Sequence, residues 1–209
     1  MQIELLLSFL TASVLLTLMP GPDNIFVLTE SLTSGQRNGI LTATGLSLGV
    51  LVHTLAAATG LSLIIQQSVT IFTIIKYLGA TYLLYLSYQA FREKPEGIEL
   101  STEINATKAS AFSLIRKGLF MNVLNPKVTL FFIAFLPQFV NKEAGNVTLQ
   151  MITLGCVFML QALILFTSIA YFSGKLSKYL NNIHFWKITK WSKVVILCTL
   201  AVLLTIEQH

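Results

Sequence analysis

Blocks of about 20 mostly apolar residues, separated by short polar turns, dominate the sequence. An α-helix of about 20 residues, rising 1.5 Å per residue, crosses the ~30 Å hydrocarbon layer of a bilayer. Apolar residues make up 54% of the chain and charged residues only 11%, less than half of the ~25% usual in soluble domains. The sequence therefore predicts an all-α protein embedded in a membrane.

Six apolar blocks follow one another along the chain. They cover about residues 3–34, 39–65, 69–91, 109–140, 147–172 and 187–206, and a polar loop over about 92–108 separates the third from the fourth. We expect one transmembrane domain over residues 1–209, with three helices in repeat one, about 3–91, and three in repeat two, about 109–206. A disulfide framework and a cofactor site are not expected.

Lysine and arginine residues are unevenly distributed between the two sides of this arrangement. The loops after the first, third and fifth blocks share one side, which receives 11 of the 14 basic residues. Since basic loops stay in the cytoplasm, both termini are predicted on the outer face of a cell (inner or plasma) membrane. Basic residues at membrane edges also explain the net charge of +5, so no nucleic-acid partner is expected.

Two proline motifs break the first and fourth blocks at corresponding places: Pro20-Gly21-Pro22-Asp23 and Asn125-Pro126-Lys127. Proline removes a backbone donor and blocks the carbonyl one turn earlier. In lipid, such freed backbone groups must be buried in protein or line a watery cavity. Three helices per unit place two consecutive units in opposite orientations, which predicts a 3+3 inverted repeat with a midplane substrate site between the broken helices.

The ionisable residues in these breaks are the strongest site candidates. Asp23 and Lys127 each follow a helix-breaking proline, and an ionisable side chain at membrane depth costs at least ~2.5–3.5 kcal/mol. The two could form an ion pair, or bind the ammonium and the carboxylate of a zwitterionic substrate respectively. Asp23 could also carry a proton, and it is expected to be the N-cap of the half-helix that begins at Pro22.

Other polar and backbone groups complete the candidate site. The half-helix beginning at Pro22 has a partly positive end that can receive a carboxylate. His53 and Gln161 hold comparable places in blocks two and five, and His53 could be a proton carrier or, as is more common, a hydrogen-bonded packing residue. Gly45 and Gly49 are expected to pack helices closely. The remaining candidates lie in the two breaks: Pro20, Gly21, Asn24, Asn122, Asn125 and Pro126.

These motifs resemble the LysE/RhtB family of amino acid exporters. The resemblance covers about residues 5–145 and lies in the stretches 19–23, 34–53, 76–86, 120–127 and 135–139. It implies a proton-coupled exporter of small amino acids such as threonine, homoserine or leucine, whose partners are the substrate, protons and the lipid bilayer. The absence of an extra acidic cluster favours neutral or polar substrates. A homodimer remains open.

Other classes of function find less support in the residues. Thiol–disulfide transducers need cysteines in the broken helices, and intramembrane proteases need a nucleophile–base pair or two aspartates, so an enzyme is not expected. An exporter of divalent metal ions or other small solutes on a related fold is the alternative function. A metal site would need several His, Cys or acidic ligands, and only His53, Asp23 and Glu30 are at hand, so no metal site is predicted.

Overall fold

The computed structural model describes residues 3–62, 68–93, 110–180 and 182–206. Most of the predicted polar loop at 92–108 lies outside these residues. Every long element in the described part of the chain is a helix, in agreement with the predicted fold class.

The described residues of the first half form four helices. They are α1 (Ile3–Leu18), α2 (Pro22–Ser34), α3 (Gln36–Ala56), which continues as a π-helical turn over Ala57–Leu61, and α4 (Val69–Arg92). Helices α1 and α2 meet at an angle of 57° across the first proline motif. Gly35 separates α2 from α3 and has a φ of 93°, a left-handed conformation that favours glycine.

The second half repeats this order with one addition. Its elements are α5 (Ala111–Val123), α6 (Pro126–Leu130), which continues through a π-helical segment Phe131–Phe135 and a 3₁₀ turn Leu136–Phe139, then α7 (Val147–Tyr171), α8 (Ser173–Leu180) and α9 (Ile183–Ile206). The helical stretches on either side of the second proline motif are bent by 52°. The short helix α8 was not predicted, and α9 begins at Ile183, four residues before the predicted start.

Four described helices are long and apolar enough to span a membrane, and the number rises to six when each bent pair counts as one span. The prediction of a helical membrane protein of about six spans with the first and fourth broken is therefore confirmed.

Helix α3 lies at the centre of the fold, where it packs against α5 and α7, while α4 packs against α9. Small residues permit the close approach of α3 to α5. A Cβ atom at Gly45 would collide with the main chain of Ile115, and one at Gly49 would lie 2.8 Å from Oδ1 of Asn122. The packing role predicted for these two glycines is confirmed, and it brings α3 against the second break.

Candidate functional site

The first break is built by proline and glycine around the start of α2. Gly21 is the N-cap of α2 and is fully extended, with φ −162° and ψ −176°. Pro22 occupies the first helical position, which suits its fixed φ and missing N–H. Asp23 therefore falls in the first turn, and the prediction that it is the N-cap is wrong. Its carboxyl group still lies at the end of α2 where the helix dipole favours negative charge.

The carbonyl groups freed at the end of α1 are bound by side chains instead of water. Asn24 turns back from α2, and its Nδ2 donates to the carbonyl oxygens of Thr17 at 3.1 Å and Leu18 at 3.4 Å. The predicted site residue Asn24 thus bridges the bend between α1 and α2.

Lys127 reaches from the second break into the first. Its ammonium nitrogen Nζ donates to the carbonyl oxygens of Leu16 at 3.2 Å and Met19 at 3.3 Å. A Cβ atom at Gly21 would lie 3.5 Å from the same nitrogen. Lys127 is buried, with 9% of its surface exposed. A cation at the carboxyl end of α1 is where the helix dipole favours positive charge, so Lys127 caps a helix of the other half of the chain.

Asn125 links the two breaks through the two atoms of its side-chain amide. Its Oδ1 accepts a hydrogen bond from the backbone N–H of Lys127 at 3.0 Å, which makes Asn125 the N-cap of α6, with Pro126 at the first helical position. Its Nδ2 donates to Oδ2 of Asp23 at 2.7 Å. One buried amide therefore holds the start of α6 against the start of α2.

Asp23 and Lys127 line the same small cavity, yet they do not form a direct ion pair. The ion pair found among the described residues joins Lys193 to Glu93 at 2.8 Å, far along the chain from either break. The second carboxyl oxygen of Asp23, Oδ1, is buried and has no hydrogen-bond partner within the described part of the chain. Each of the two charges thus keeps some of its bonding capacity unused.

His53 and Gln161 each touch a broken helix of the other half. Nε2 of His53 on α3 donates to the carbonyl oxygen of Asn122 at 3.2 Å, and the ring stacks on Phe132 with centroids 5.7 Å apart. Nε2 of Gln161 on α7 donates to the hydroxyl of Thr17 at 2.9 Å. Each of the two residues therefore supports a broken helix in the opposite half of the chain.

A small cavity lies where these groups meet. Its volume is about 10 Å³, close to the least space that holds one water molecule. The lining residues are Leu16, Thr17, Asp23, Asn122, Lys127, Val128, Phe158 and Phe166. The Asn122 amide oxygen is buried here without a partner in the described residues. The described residues include no group of three His, Cys, Asp or Glu side chains that could hold a metal ion.

The structure thus brings all the candidate residues to the two breaks or against them. Sequence reasoning missed five lining residues: Leu16, Thr17, Val128, Phe158 and Phe166. Thr17 had a usable signal, because it is a hydroxyl residue one turn before Pro20 in an apolar block. The two phenylalanines had none, since they lie in a helix rich in apolar side chains.

Comparisons with known proteins agree with this geometry. The family model described as "LysE type translocator" matches residues 14–208. The chain is 31% identical over 189 residues to the uncharacterized membrane protein YrhP of Bacillus subtilis, covering 88% of this chain and 90% of that protein. It is 28% identical over 183 residues to an uncharacterized membrane protein of Vibrio cholerae, covering 87% of each. No solved structure matches the chain. The family match spans nearly the whole sequence, both proline breaks included, and the chain therefore belongs to the LysE type translocator family.

Proposed function

We propose that this translocator exports small neutral or polar amino acids from the cytoplasm, and that export is coupled to protons. Family members are transporters of small solutes and not enzymes. The observation that carries the choice of substrate is the placement of two opposite charges, Asp23 and Lys127, on one cavity without a direct bond between them. An amino acid zwitterion carries the complementary pair of charges.

The unused hydrogen-bonding capacity of the two residues supports this assignment. An ammonium group has three donors, and the Lys127 bonds to Leu16 and Met19 use two of them. The third can bind the substrate carboxylate. Oδ1 of Asp23 and Oδ1 of Asn122 are buried acceptors without partners in the described residues, and these can bind the substrate ammonium. A bound zwitterion would satisfy groups whose burial is otherwise costly.

The walls of the cavity favour a substrate with an uncharged side chain. Leu16, Val128, Phe158 and Phe166 contribute apolar surface, and the lining holds no second carboxylate for a basic side chain. At about 10 Å³ the space is too small for any amino acid, so this conformation is closed. Binding then requires the broken helices to separate, as expected for alternating access.

We propose that the moving parts are the two halves of the chain, related as an inverted repeat. The crossed contacts support this relation: His53 of the first half binds the second break, and Gln161 of the second half binds α1. With 11 of the 14 basic residues on one side, the cytoplasmic face is the one that carries the loops after the first, third and fifth spans, and both termini lie outside.

Asp23 is the proposed proton carrier. Its Oδ2 accepts from Asn125, while Oδ1 is buried without a partner in the described residues, so one oxygen stays anchored while the other can gain or lose a proton. Substrate ammonium and proton would then compete for the same oxygen, which is the simplest way to couple their movements in opposite directions.

The test is counterflow in proteoliposomes with a panel of labelled amino acids, with and without a pH gradient. We expect exchange of one or more small neutral amino acids, and faster net transport when the gradient is applied. Asp23→Asn and Lys127→Met should abolish exchange while leaving membrane insertion intact. Lys76→Met is a matched control, since Lys76 is also 9% exposed but lies on α4 away from the breaks, and it should keep transport. Normal exchange by either break variant, or movement of a divalent metal with no amino acid, would contradict the proposal.

A further inference from the structure

A surface depression runs along α9, and its lining is basic and aromatic near the start of the helix. This open part measures about 600 Å³ and is lined by His184, Lys187, Trp191 and Ser192. His184, Lys187, Trp191 and Val195 recur every three or four positions and so share one helix face, with Ser192 beside them. Trp191 is 54% exposed. Tryptophan beside lysine is typical of the membrane–water interface, where an aromatic ring and a charged head both find partners.

The same depression becomes apolar further along the helix. Val195 and Ile196 line the basic part and also a second cavity of about 470 Å³ between α9, α1 and the 3₁₀ turn. The walls of this second part are mainly apolar and include Leu15, Phe139 and Leu203. Since the two parts share two residues, they form one continuous depression.

The length of the depression matches one leaflet of a bilayer. Sixteen residues separate Lys187 from Leu203, which at 1.5 Å each correspond to roughly 24 Å. Half of a bilayer with its headgroups measures roughly 20–22 Å. The depression is therefore long enough for the head and one acyl chain of a single phospholipid.

Other lysines lie in neighbouring parts of the chain. Lys175 and Lys178 lie on the adjacent helix α8, and Lys190 lies one turn beyond Lys187. The acidic residue Glu93 pairs with Lys193 at 2.8 Å. Within the described part of the chain the charged groups near this end are mainly cationic, which suits a ligand with a net negative head, and basic pockets on this side of membrane proteins bind anionic lipid headgroups.

We propose that this depression binds one anionic phospholipid, with the phosphate at Lys187 and an acyl chain between α1 and α9. The basic end of the depression favours a negatively charged headgroup, and its apolar part favours an acyl chain. A soluble phosphate would leave the apolar part unfilled, and a zwitterionic lipid has no net charge to attract. The site lies outside the two breaks and is separate from the proposed substrate cavity.

Fluorescence quenching tests the proposal, because the chain has only two tryptophans. In a Trp186→Phe background the emission comes from Trp191, which lines the site. The detergent-solubilised protein is titrated with phosphatidylglycerol or phosphatidylcholine bearing brominated acyl chains. We expect strong quenching by phosphatidylglycerol, and weak quenching by phosphatidylcholine at the same concentration. Inorganic phosphate should not compete with phosphatidylglycerol.

Two variants separate the head of the site from its tail. Lys187→Gln should weaken phosphatidylglycerol binding about fivefold, the effect of the ~1 kcal/mol that one basic residue near an anionic surface contributes. Thr199→Phe fills the apolar part at an exposed position and should weaken binding of either lipid. Lys117→Gln, an exposed lysine on α5, is the charge-matched control and should bind as the parent does.

Three outcomes would overturn the proposal. Equal quenching by the two lipids would show that the head does not select charge. Unchanged binding by Thr199→Phe would place the acyl chain elsewhere. Cross-linking of single cysteines at residues 199 of two chains, with lipid binding absent, would show that a second copy fills the depression.

Discussion

Removing the Asn125 side chain is the change that most directly tests how the two breaks are held together. Asn125→Ala deletes an N-cap, worth about 1 kcal/mol, and the hydrogen bond from Nδ2 to the Asp23 carboxylate at 2.7 Å. A hydrogen bond to a charged group contributes about 1.5–3 kcal/mol. Asn125 is buried, with 7% of its surface exposed, so water cannot readily replace either bond. We expect a loss of roughly 2.5–4 kcal/mol in the free energy of unfolding.

Asn146 offers a matched control. It is the N-cap of α7, where its Oδ1 accepts from the backbone N–H of Leu149 at 3.0 Å, and it is exposed. Asn146→Ala removes a cap alone and should cost about 1 kcal/mol. Unfolding of both variants by a denaturing detergent in mixed micelles gives the two free energies.

A double-mutant cycle isolates the bond between the breaks. Asn125→Ala combined with Asp23→Asn should cost less than the sum of the two single changes, because the second change removes a bond that is already lost. If Asn125→Ala costs no more than Asn146→Ala, and the cycle shows no coupling, the amide does not link the two halves and the reasoning is refuted.

Two further predictions concern the packing and the surface. Gly45→Ala should destabilise the protein by about 1–3 kcal/mol, because the new Cβ atom would press on the Ile115 main chain. Gly60→Ala is the control and should be neutral, because nothing lies within 4 Å of its Cβ position. Equal melting temperatures for the two variants would contradict this prediction. Lys193→Ala should cost less than 1 kcal/mol, because its partner Glu93 is 51% exposed; a loss above 2 kcal/mol in detergent unfolding would show that this pair matters more than its exposure indicates.

The number of spans and the places of the breaks could be predicted from the sequence because they depend on local chemistry. Long apolar runs specify spans, and Pro20, Pro22 and Pro126 interrupt helices whatever surrounds them. The start of α9 was misplaced for a related reason. Lys187 and Lys190 lower the hydropathy of its first turns, but lysine is a good helix former, and its ammonium group can reach the interface.

The contacts inside the site could not be predicted, because they depend on how distant segments pack. The sequence indicated that α1 would end with free carbonyls, but not that Lys127 would bind them from more than 100 residues away. It also favoured Asp23 as an N-cap from residue type alone, whereas the extended backbone of Gly21 and the position of Pro22 decide the true cap. Asn125 can bridge the two breaks only after folding has brought them together.

Lys127, which caps α1 from the other half of the chain, affects how readily the protein would leak small solutes. The halves cannot part at this point without uncovering the carbonyl oxygens of Leu16 and Met19, and each buried acceptor left unpaired costs about 1–3 kcal/mol. For the proposed amino acid exporter, this cost would favour the closed state when no substrate is bound, and a substrate with its own charged groups would lower the barrier to opening. This barrier would reduce the leakage of ions and metabolites through the protein between transport cycles.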